Sequence, residues 1–153
     1  MRKIELRICL ISVLWLLTGI AYAQPPEKID TWEIFATVKF TSKYYKQYKE
    51  HFLTPSFDAN LRTLEGTDMV LSGHYMPLDL PDKKSIIISK YPYAACFFCG
   101  GAGPESVAEI QFTKPAPRFK ADQIITIKGK LKLNYTNVDH LNFILTEAEV
   151  VKP

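Results

Sequence analysis

The chain has 153 residues, and its 19 Lys and Arg against 16 Asp and Glu give a formal net charge of +3. So near-neutral a balance argues against a nucleic-acid partner, whose phosphates demand concentrated Lys and Arg, and offers no polybasic patch for a membrane surface. The length suits one domain with an adequate core, so no cysteine is needed merely to hold a miniature fold together.

Arg2, Lys3 and Arg7 precede an apolar stretch from Ile8 to Ile20, and Ala21-Tyr22-Ala23 stands before Gln24. That order reads as a secretory signal peptide over residues 1–23 and predicts a periplasmic or secreted protein. The apolar stretch falls short of the ~20 residues of a spanning helix, and no later segment approaches that length, so no membrane insertion is expected after cleavage. Cys9 stands at the beginning of the apolar stretch, whereas a lipoprotein cysteine would lie beyond it, which argues against a lipid anchor. With the leader go three bases and Glu5, leaving 16 bases against 15 acids, or +1, on residues 24–153.

In the expected mature chain, Trp32, Ile34, Ala36, Val38 and Phe40 alternate with more polar neighbours, which predicts a half-buried strand. Tyr44, Tyr48 and Phe52 recur every four residues among lysines and predict a short amphipathic helix. Phe57, Leu61 and Leu64 predict another, closed by Gly66. Four strands are expected over residues 68–76, 85–89, 107–113 and 125–133, the last with Ile125, Ile127, Gly129, Leu131 and Leu133 facing one way. Between the third and fourth of these, Pro115-Ala116-Pro117 reads as a rigid connector. A polar turn over residues 134–140 leads into a final strand, residues 141–151, whose alternation slips phase near Glu147, the mark of a bulge.

Five strands after Gly66, with glycines where strongly bent strands need them, predict a mainly β protein. The expected form is a small five-stranded barrel of the oligonucleotide/oligosaccharide-binding (OB) type, carrying an N-terminal extra strand and one or two short helices. An open sandwich is the alternative. The run Phe57 to Leu64, then Gly66, Val70, Gly73, Pro77 and Leu78, followed by a short apolar strand and a cysteine-centred loop, resembles a family of exported bacterial proteins of unknown function. The resemblance spans about residues 32–151 and implies an OB-like fold. The family's loop commonly carries a cysteine and a histidine ahead of several prolines, whereas this chain has Cys96 and Cys99 ahead of glycines. An exchange of histidine for cysteine is intelligible if both positions bind a metal.

The candidate site is the segment Cys96-Phe97-Phe98-Cys99-Gly100-Gly101-Ala102-Gly103-Pro104. C-x-x-C-G resembles one knuckle of a zinc ribbon, but no second knuckle exists, so further ligands must come from elsewhere. His74 is the preferred third ligand, with His51, His140 and Glu105 as other donors. A redox dithiol needs a helix just after the first cysteine to lower its pKa, and the glycines and Pro104 oppose one. A structural disulfide closing a tight loop is the third reading, and an oxidising compartment favours it unless a ligand occupies the thiols. Haem attachment needs His where Gly100 stands, and a phosphate loop needs Gly-Lys-Ser/Thr. Glu105-Ser106 offers no catalytic pair, so no enzyme is indicated. Of the other histidines, His140 reads as a solvated turn residue and His51 as structural, while the lysines at 128, 130 and 132 form a solvated ladder. The tyrosines and phenylalanines offer either core packing or a stacking platform. The expected function is therefore an exported, soluble, non-enzymatic binding or accessory protein, its partner a metal ion, zinc first, or an unknown envelope protein. Thiol-disulfide exchange, or an interaction module with a disulfide staple, is the alternative.

Overall fold

The computed structural model describes residues 30–151, so the expected signal peptide, with Cys9 in it, lies outside the described residues. Asp30 starts the first helix, α1 (Thr31–Ala36): its carboxylate accepts from the Trp32 backbone N–H at 3.1 Å, which satisfies a donor that the helix itself cannot. This corrects the strand expected from Trp32 onward. Trp32 and Phe35, three residues apart, are the buried pair, whereas Ala36 of the expected apolar face is exposed. The extra strand begins only at Lys39.

That strand, β1 (Lys39–Tyr45), pairs antiparallel with β2 (Glu50–Ser56), and the two form a separate ribbon. The amphipathic helix expected over Tyr44, Tyr48 and Phe52 is absent, because the four-residue spacing brings rings together through the turn instead. Tyr48 lies edge-on to Phe52 at 5.5 Å, and Tyr45 meets the same ring at 5.5 Å. The second expected helix is present as α2 (Ala59–Thr63), started by the Asp58 carboxylate on the Leu61 N–H at 2.7 Å and buried through Leu61.

The remaining five strands are β3 (Asp68–Met76), β4 (Ser85–Ser89), β5 (Val107–Phe112), β6 (Ile124–Leu133) and β7 (Phe143–Val150). They close into a barrel in the order β3-β4-β5-β7-β6, antiparallel except for β5 with β7. The fold is mainly β and OB-like, as expected. Every second residue of β6 from Ile125 to Leu133 points inward. These side chains join Leu71, Ile88, Ile110 and Leu145 in one core, and α1 and α2 add Trp32, Phe35 and Leu61 to it. Phe35 stacks on Phe143 with ring centres 4.0 Å apart. The expected bulge sits in β7, where Glu147 has φ 52 opposite a register shift in β6.

Barrel closure concentrates on β3. It pairs with β4 only from His74 to Met76, and two carbonyls further back are taken by α1 instead. The Thr31 hydroxyl donates to the Val70 oxygen at 2.8 Å and the Trp32 indole N–H to the Ser72 oxygen at 2.7 Å. Gly73 permits this approach, since a Cβ there would stand 2.6 Å from the Ser89 carbonyl oxygen and 3.2 Å from the Trp32 ring. Gly73→Ala should therefore lower stability by about 1–3 kcal/mol, because the obstacle is backbone and cannot swing aside. A denaturant midpoint equal to the parent's would contradict this packing.

Candidate functional site

Residues 90–106 connect β4 to β5 through three short 3₁₀ turns, and the Lys90 N–H donates to the Ser106 oxygen at 2.8 Å to pinch the loop at its base. Outside the barrel, the loop packs in a second apolar cluster made by Met76, Ile87, Val107 and Cys96. Ile87 and Val107 alternate with the inward-facing Ile86, Ile88 and Ala108, so the outer face of β4 and β5 is apolar where the loop covers it.

Cys96 is fully buried in that cluster and Cys99 is exposed. The Cys96 carbonyl accepts from the Cys99 and Gly101 N–H groups at 3.1 and 3.2 Å, which winds the chain tightly around the first cysteine. Gly100 continues the turn at φ 77, a left-handed conformation that costs glycine nothing. The two sulfurs stand 3.8 Å apart as free thiols, and the Cys99 thiol donates to the Tyr93 carbonyl at 3.1 Å. The Cys96 sulfur beside it pushes the Cys99 pKa above its usual value, with desolvation and charge repulsion from Cys96 acting in the same direction. An exchange-active thiol is instead activated by a lowered pKa.

His74 reaches this loop through an intermediary. Its Nδ1 lies 3.1 Å from the Asp122 carboxylate, and the same carboxylate oxygen accepts from the Tyr93 N–H at 3.0 Å. Among the described residues, no three His, Cys, Asp or Glu side chains group as a metal site, so His74 and the two sulfurs are linked but not gathered. Ser106 donates to the Gly103 carbonyl at 2.6 Å.

The site has a second part, built on a buried carboxylate that the sequence did not mark. Glu109, 5% exposed on β5, accepts from His140 Nδ1 at 2.9 Å, from the Leu141 N–H at 3.2 Å and from the Gln111 amide at 2.7 Å. His140 is thus anchored rather than simply solvated. His51 has its Nδ1 3.3 Å from the Ser42 hydroxyl and its ring against Tyr44. Both histidines line a cleft of about 270 Å³ whose other walls include Tyr45, Phe52, Tyr135 and Phe97. Phe97 lies between the two cysteines, so the thiol turn forms part of the cleft wall. Rings with a few converging polar groups are the usual furnishing of a ligand site.

No family model matches this chain, and no curated protein matches it in sequence. Among solved structures it is similar to the crystal structure of a DUF3299 family protein from Pseudomonas aeruginosa PAO1. The likeness has a TM-score of 0.45 at 13% identity and covers 65% of this chain and 68% of that one.

The two halves of the site make separate predictions. Because Cys96 is the leading cause of the raised Cys99 pKa, Cys96→Ala should speed alkylation of Cys99 at mildly alkaline pH, and an unchanged rate would contradict the sulfur–sulfur contact. Glu109→Ala strips three donors of their acceptor and should cost about 2 kcal/mol in a denaturant titration. Parent-like stability would show that the buried carboxylate is not holding the loop.

Proposed function

We propose that this is an exported, non-enzymatic accessory protein of the cell envelope that binds a divalent metal ion, zinc first, through Cys96 and Cys99. The observation that carries the reading is the 3.8 Å between the sulfurs. Two zinc–sulfur bonds of roughly 2.3 Å at a tetrahedral angle set their sulfurs roughly 3.8 Å apart. A disulfide would require roughly 2.0 Å. The left-handed Gly100 immediately after the second thiol supports the reading, since it lets the chain wrap a pair of sulfurs.

Solvent or a donor from a partner protein completes the coordination, an arrangement that suits an ion held in transit. His74, expected as the third ligand, enters this reading as a support of the loop through Asp122 and Tyr93. Binding must displace the Cys99 proton, which is held more tightly than usual, so affinity should fall as pH is lowered.

The test is metal content together with free-thiol titration on protein purified without chelator. One zinc per chain, lost in Cys99→Ser, is the expected result. No metal with both thiols paired would overturn the reading in favour of a disulfide staple.

A further inference from the structure

We infer that the β1–β2 ribbon seats this protein on an anionic phospholipid surface. The near-neutral balance led to the expectation of no polybasic patch for a membrane surface, but the net charge of the chain conceals a local concentration. Residues 39–51 carry Lys39, Lys43, Lys46 and Lys49 against Glu50 alone, so this segment accounts for +3, the formal charge of the whole chain, and the remainder sums to zero. Among the described residues the ribbon pairs only with itself, and it is exposed along most of both strands.

At its turn end the lysines alternate with rings. Tyr44 is 50% exposed and Tyr48 46%, between Lys43, Lys46 and Lys49, and Leu53 on the second strand is 50% exposed. Tyr44 pairs with His51 and Ser42 with Leu53, so Tyr44 and Leu53 share one face of the ribbon. The Lys43 ammonium lies 5.8 Å from the Tyr45 ring centre. Exposed large side chains on a ribbon with little core of its own are a poor fit to water. Tyrosine, apolar in body and polar at its tip, sits well at headgroup depth, and the lysines around it meet lipid phosphates. An acidic protein surface would satisfy the lysines but gives no reason for a turn that combines them with exposed rings.

The experiment is co-sedimentation of the full protein with vesicles of mixed phosphatidylglycerol and phosphatidylcholine, and with pure phosphatidylcholine vesicles, at low and high salt. Binding is expected to the anionic vesicles only and to weaken as salt rises. Each lysine contributes about five-fold to the partition, so Lys46→Gln with Lys49→Gln should lower it about 25-fold. Tyr44→Ser with Tyr48→Ser should also weaken binding while leaving its salt dependence unchanged. Lys46 and Lys49 are exposed, so the lysine variant should keep the parent's thermal midpoint, which the same samples check. Cys99→Ser should bind vesicles as the parent does, which separates this inference from the metal reading. No sedimentation at low salt, equal binding to both vesicle types, or a lysine variant that binds like the parent would overturn it.

Discussion

The contact on which the rest depends is the approach of Trp32 and the Ser89 carbonyl to β3 at Gly73. β3 is crowded from two sides at this point, and here a glycine supplies the space. Trp32 and Thr31 then take β3 carbonyls that β4 does not cover, so α1 completes the wall as well as the core. The same junction holds the base of the cysteine loop. The Ser89 hydroxyl accepts from the Tyr91 N–H at 3.1 Å where the loop leaves β4. At its other end, α1 packs against the 3₁₀ turn Pro104–Ser106. Barrel closure and placement of the thiols are therefore one packing problem.

Two carboxylates convert this scaffold into a site. Asp122 ties His74 on β3 to the backbone ahead of the cysteines, and Glu109 ties the β6–β7 loop to β5 through His140 and the Leu141 N–H. Each imidazole is held through Nδ1, which fixes ring orientation. Phe97, carried by the turn that holds both thiols, lines the same cleft as the anchored β6–β7 loop. Anything that draws the two sulfurs together or bridges them acts on that turn, and so on the wall of the cleft.

The barrel was legible in the sequence because β6 carries the period-two signal along its whole length and β3, β4 and β5 read as apolar runs bounded by turn residues. β6 shows it without interruption, and the slip at Glu147 marked a real bulge with positive φ. The segments before Gly66 misled for a physical reason. In α1, the Asp30 cap and a buried pair three residues apart outweigh the apparent alternation, and the ribbon buries too little to impose a pattern. The cysteines were visible as a motif. Their supports were not, since Glu109 meets His140 across 31 residues and Asp122 meets His74 across 48, and nothing local in either carboxylate's sequence foretells its partner.

The central claim is that the Cys96–Cys99 turn is preset as one edge of a metal coordination sphere. X-ray absorption at the zinc edge of the metal-loaded protein addresses it most directly. The account predicts two sulfur neighbours per zinc at about 2.3 Å, with the remaining neighbours nitrogen or oxygen. A zinc shell of nitrogen and oxygen alone would contradict it and assign the ion to some other group of side chains.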